Sequence, residues 1–122
     1  MTVTATATVR APDAQERPID LVHLARMTLG DVAVEREVLH LFDGQALAVV
    51  GQIRSADIAA IADLAHALKG SSRGIGAWRV AGAAEAVERA ALLSPADLPA
   101  AVAALAVAVD EAREAIAGLL QR

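Results

Sequence analysis

Cysteine does not occur in the 122 residues, so the chain has no disulfide framework, no thiolate zinc site and no cysteine nucleophile. Tyrosine is missing as well, and Phe42 and Trp78 are the only aromatics. No long apolar run is present. The most apolar stretch, Leu98 to Val109, is interrupted by Pro99 and bounded by Asp97 and Asp110, and falls well short of the roughly 20 residues a bilayer demands. The N-terminus has no basic segment leading into a leucine-rich one, so no signal peptide is read and the cytoplasm is the default compartment. Positive charge is not in excess either. Lys and Arg number 11 against 15 Asp and Glu, a net charge of −4. That mild acidity argues against nucleic acid, whose binding usually calls for a concentrated basic patch.

What is abundant is alanine, 31 residues of the hydrophobic 56%. Alanine is the best helix former and adds little buried area. The composition therefore points to closely packed helices rather than a sheet. Residues 1–18 read as an N-terminal tail. Thr2 to Val9 alternates Thr with Val and Ala and could pair as a strand, but no other strand is predicted, and Pro12 and Pro18 break regular structure. One domain, 19–122, follows.

Five helices are predicted, over 19–28, 31–54, 57–73, 77–92 and 95–120. Asp20 and Asp31 are caps for the first two, Ser55 or Asp57 for the third, and Ser94 followed by Pro95 marks the start of the fifth. Apolar residues recur at three and four in each long segment: Val38, Leu39, Phe42, Ala46, Val49 and Ile53; Ile61, Leu64, Ala65 and Leu68; Val80, Ala81, Ala84, Val87 and Ala91; Leu98, Val102, Leu105, Val109, Ala112, Ile116 and Leu120. Links of a few residues force neighbouring helices to run antiparallel. The expected fold is all-α, an up-down-up-down four-helix bundle preceded by a short N-terminal helix.

The third helix carries the one group of residues with chemical promise. His66 lies two positions from Leu64, roughly 200° around the helix, and should face solvent with Leu64 and Leu68 buried behind it. Asp63, Lys69, Gly70 and Arg73 lie at −3, +3, +4 and +7 from His66, on the same outer stripe. A neutral imidazole is a good nucleophile near pH 7. Lys69 and Arg73 offer positive charge to a phosphoryl group. Gly70 weakens the helix, but leaves room for a partner to reach His66. Asp63 is a solvated residue or an i to i+3 partner of the imidazole, and one histidine with one carboxylate is too few ligands for a metal site. Ser71 and Ser72 are expected to pack or bond back to helix carbonyls, Glu85, Glu88 and Arg89 to form an exposed face, and Trp78 to sit half-buried at a rim. His23 and His40 lack any comparable setting. No GxxxxGK[ST] run and no GxGxxG follows a strand, so no nucleotide site is read.

The run His66, Ala67, Leu68, Lys69, Gly70, Ser71, Ser72, Arg73, Gly74, Ile75, Gly76, Ala77 resembles the H-x-L-K-G-S-S-x-x-x-G-A signature of histidine-containing phosphotransfer (HPt) domains. The resemblance extends over about residues 18–92, through Ile19-Asp20-Leu21, Leu41-Phe42 and the Gly76-Ala77-x-x-Val80-Ala81 start of the fourth helix. It departs from the family in a glycine-containing helix facing the motif and in a fifth helix made largely of alanine and valine. The resemblance implies a four-helix bundle that carries phosphate between receiver-domain aspartates of a hybrid histidine kinase and of a response regulator. It implies His66 as phosphoacceptor, Lys69 as the group that steadies the phosphoryl, and Gly70 as the access point. Arg73 and Asp63 are the candidate binding residues beside them, Arg73 for docking or simple solvation. No cofactor is expected on this chain; Mg²⁺ would reside on the receiver. Two other readings stand beside it: a module that docks receivers or kinases without transfer, and the histidine-bearing piece of a larger sensor kinase. The start at Met1 and a complete fifth helix favour a freestanding carrier, and a monomer is the simpler case for a four-helix bundle with one acceptor histidine.

Overall fold

A computed structural model describes residues 17–122, and all regular structure among them is helical. The expected tail over 1–18 lies, apart from Arg17 and Pro18, outside the described residues. Three aspartates set where helices begin. Asp20 accepts from the His23 backbone N–H at 3.1 Å and opens α1, Leu21–Met27. Asp31 accepts from Val34 at 3.2 Å and opens α2, Val32–Ile53. Asp57, rather than Ser55, accepts from Ala60 at 2.8 Å and opens α3, Ile58–Ile75. Each bond satisfies one of the backbone donors that a helix start leaves without a partner. Next come α4, Trp78–Leu93, and α5, Leu98–Leu120.

Most helix ends fall within one or two residues of the sequence expectation, the first helix starting at Leu21 instead of 19, and two shifts have a local cause. α3 runs two residues past Arg73, because Gly74 stays helical and Gly76 is the residue that turns left-handed. The fifth helix begins at Leu98 instead of Pro95. Residues Pro95–Asp97 form a 3-10 turn, and the Ser94 hydroxyl donates to Asp97 Oδ2 at 2.6 Å rather than accepting from the backbone.

The helices α2, α3, α4 and α5 close a ring in which each packs on two neighbours, and α1 lies against α3. Leu68, Val80, Val87, Leu105, Val109 and Ile116 are the largest fully buried apolar side chains. Ala46, Ala65 and Ala84 are wholly covered and let the helix axes approach. Arg36 donates to the Leu120 carbonyl at 2.7 Å and Arg113 to Asp43 at 2.9 Å, tying α2 to α5. Leu64 differs from expectation: it is half-buried at the edge of the core. The inward line of α3 runs through Ile61, Ala65, Leu68 and Ser72, and Leu64 sits 100° off Ala65 on the helical wheel. Among the described residues no helix is long and apolar enough to cross a membrane.

Gly76 joins α1 to the end of α3. Its φ is 82°, and its carbonyl accepts from the Asp20 N–H at 2.9 Å. A Cβ there would stand 2.9 Å from Asp20 Cβ and 3.0 Å from the Asp20 carbonyl oxygen. Asp20 also accepts from the Trp78 indole N–H at 2.9 Å, and the His23 ring lies 4.8 Å from the Trp78 ring. These bonds to Trp78 and to the His23 backbone hold the Asp20 carboxyl below the ordinary aspartate range. Gly76→Ala combines left-handed strain with a backbone collision, and is expected to cost about 2–4 kcal/mol. Urea unfolding followed by Trp78 fluorescence measures it. A loss under about 0.5 kcal/mol, the size of a neutral surface change, would show that the junction yields freely.

Candidate functional site

α3 and α4 are joined through Gly76 and Ala77, and their side chains meet in reversed order. His66 and Lys69 reach Glu88, whereas Arg73, further along α3, reaches the earlier Glu85. The site is the outer face of this hairpin.

His66 stands on the solvent side of α3 with its side chain 68% exposed. Ala65 and Leu68, on the inward line of the helix, are fully buried. The His66 Nδ1 lies 2.8 Å from Glu88 Oε2, and Lys69 Nζ lies 2.8 Å from Glu88 Oε1. One carboxylate therefore binds both groups, one through each oxygen. Lys69 is the only lysine in the chain. It does not project freely into solvent as its place on the outer stripe suggested. Its side chain is 16% exposed and Glu88 is 19% exposed. The Lys69 ammonium bonded to Glu88 holds that carboxyl below the ordinary glutamate value of 4.5, with His66 assisting and burial opposing. Glu88 is thus a carboxylate at neutral pH, an acceptor with no proton to give. Its partner nitrogen Nδ1 must carry the hydrogen, which leaves the lone pair of the neutral imidazole on Nε2.

Glu88 was expected to belong to an exposed, solvated face; instead it is the residue that organises the site. Asp63 is exposed, as a solvated residue would be, and the imidazole's carboxylate partner is Glu88. Arg73 donates to Glu85 Oε1 at 3.2 Å, and Arg89 to Glu85 Oε2 at 3.2 Å. Gly70 is exposed, and a Cβ on it would meet nothing within 4 Å, so packing inside this chain does not require glycine there. Ser71 Oγ donates to the Ala67 carbonyl at 3.2 Å and the fully buried Ser72 Oγ to that of Leu68 at 2.6 Å, the back-bonding expected of them. His40 is exposed, and His23 is half-buried beside Trp78.

An exposed nucleophilic nitrogen, an oriented ring and a nearby ammonium are what acceptance of a phosphoryl group calls for. No curated protein and no solved structure matches the chain. The family described as Hpt domain does match, over residues 23–121, a span that contains α2 to α5 and the whole hairpin. The chain therefore belongs to the Hpt domain family, whose members are phosphocarrier modules of phosphorelays rather than enzymes.

Proposed function

We propose that this chain carries a phosphoryl group on His66 Nε2 between the receiver-domain aspartates of a hybrid histidine kinase and of a response regulator, on a bundle whose four long helices alternate in direction. The observation that carries the reading is the shared carboxylate: Glu88 fixes the tautomer of an exposed imidazole and at the same time holds an ammonium beside it. The Nε2 lone pair attacks phosphorus of the partner's aspartyl phosphate. The Nε2–P bond forms as the P–O bond breaks, and the electron pair of that bond returns to the aspartate carboxylate. The phosphorylated ring keeps its hydrogen on Nδ1 and becomes cationic, a charge that Glu88 stabilises. Transfer onward reverses these steps. Lys69 is close enough to move from Glu88 towards the incoming phosphoryl oxygens and offset their charge. The divalent cation sits with the receiver, and this chain contributes no cofactor site of its own. Arg73 and Asp63 flank the acceptor on the docking face, and the carrier acts as a monomer in the cytoplasm.

The test is incubation with a receiver domain bearing labelled phosphate. Label should move to this chain and show the stability of a phosphoramidate, lost in acid and retained in base. Gly70→Gln gives a second check. Glutamine is the better helix residue, so stability should rise by up to about 1 kcal/mol. The added side chain stands between His66 and the partner, and a misfit of about 1–3 kcal/mol should slow transfer by at least about fivefold. Transfer from Gly70→Gln at the wild-type rate would mean that access is not why glycine is there.

A further inference from the structure

Two carboxylates one helical turn apart on α4, Glu85 and Glu88, each bridge two basic side chains, but the two bridges differ in charge. At Glu88 the partners are Lys69 and the His66 imidazole, so the one permanent positive charge is matched by the carboxylate. At Glu85 the partners are two arginines, Arg73 from α3 and Arg89 from α4, which leaves one positive charge uncompensated. The other charged side-chain pairs among the described residues, Arg79 with Glu111 and Arg113 with Asp43, are one to one. Arg73 and Arg89 are also open, with side chains 55% and 64% exposed. Each bonds Glu85 through one nitrogen at 3.2 Å, and a guanidinium has five N–H donors in all. Most of the donor capacity of both is therefore unspent. Arg73 stands two turns from His66 along α3, about 10 Å, and Arg89 directly follows Glu88.

We infer that Arg73, Glu85 and Arg89 form the charge-reading element of the docking face, taking carboxylates on the rim around the partner's accepting aspartate. This rests on the carrier reading above. A partner that accepts phosphate on aspartate with a divalent cation has carboxylates beside that residue, because such a cation is held by oxygen ligands. Those carboxylates meet a chain of net charge −4, and on the hairpin that carries His66 the positive charge left over lies at these two guanidinium groups. Both can engage carboxylates through two parallel bonds. Glu85 holds them in place before docking and competes with the partner for them. It thereby tunes affinity, while Glu88 and Lys69 serve the chemistry at His66.

Removing the competitor and reversing an arginine should then act in opposite directions. Transfer is measured from a panel of purified, Mg²⁺-loaded receiver domains bearing labelled phosphate, at subsaturating receiver and across a salt titration, with helicity checked by circular dichroism. Arg89→Glu should slow transfer about tenfold at low salt, the scale of electrostatic steering, and flatten its salt dependence. Arg89→Lys, which keeps the charge, should restore most of the rate. Glu85→Gln should speed transfer at low salt and steepen the salt dependence. Equal rates and equal salt slopes in wild type, Arg89→Glu and Glu85→Gln would overturn the inference, as would losses in both variants, which would mark the triad as structural. If no receiver labels wild-type His66, the carrier reading itself fails, a different outcome from a labelled protein indifferent to these charges.

Discussion

His66→Gln is expected to take no label from a phosphorylated receiver domain while keeping its helices. Two facts separate the effect on transfer from any effect on folding. The His66 side chain is 68% exposed, so its removal opens no cavity. Its bond to Glu88 at 2.8 Å is at the surface, where such a pair is worth at most about 1 kcal/mol. Glutamine retains polarity and length but has no nucleophilic nitrogen, because the amide lone pair is delocalised. The remaining candidates are poor. Ser72 is buried and bonded to the Leu68 carbonyl, and Ser71 is bonded to that of Ala67. His40 is exposed but no arrangement like that of Glu88 and Lys69 is seen around it. Label that persists in His66→Gln, or label that survives acid, would place the phosphate elsewhere and end the carrier reading.

The parts of the site that lie within one helix were legible in the sequence. Periodicity alone placed His66 on the solvent side, opposite Leu64 and Leu68, and of these Leu68 is buried and Leu64 half-buried. Asp20 and Asp31 as caps need only a residue and its three neighbours, as does Asp57 once Ser55 is set aside. Glu88 was not legible in that way. Its own helix places it beside the inward Val87, and α4 by itself offers no reason for a carboxylate to be half-covered. The reason lies 22 residues away in α3. A signal for it did exist. When two helices reverse through a short turn, positions about equally distant from the turn face each other, and His66 and Glu88 lie equally far from Ala77. Counting outward from the turn pairs Glu88 with the motif histidine. The start of α5 failed for another reason. Ser94 before Pro95 is a valid start signal, but the serine hydroxyl donates to Asp97 and the turn closes as 3-10 before the α-helix begins. Leu64 shows the limit of reading faces from spacing: an inward stripe has edges, and alanine-rich helices pack closely enough to leave a leucine at the edge half outside.

Glu88→Gln is expected to slow transfer by roughly thirtyfold without unfolding the bundle. In the wild type the Glu88 carboxylate accepts from Nδ1–H and faces the cation that forms on the ring as Nε2 bonds to phosphorus. A hydrogen bond to a charged group is worth about 2 kcal/mol, which is that factor in rate. A glutamine amide offers a donor as well as an acceptor, so the ring is free to place its hydrogen on Nε2 and lose its nucleophile. Lys69 loses its carboxylate partner at the same time. The nitrogen-15 spectrum of the His66 ring should shift from the Nδ1–H form towards a mixture of tautomers, a change that a purely structural residue would not cause. Acid dependence gives the second signature. The Glu88 carboxyl lies below its ordinary 4.5 in the folded chain, chiefly through Lys69. Its contribution to stability is therefore complete above that ordinary value and is lost as pH falls through the lowered one. In Glu88→Gln this part of the acid loss should be absent, while the part due to Asp20, also held low, remains. Single-turnover transfer and urea midpoints across the acid range read both effects. A Glu88→Gln protein with wild-type transfer and an unchanged ring spectrum would show that Glu88 holds Lys69 alone, and that the orientation of His66 has another source.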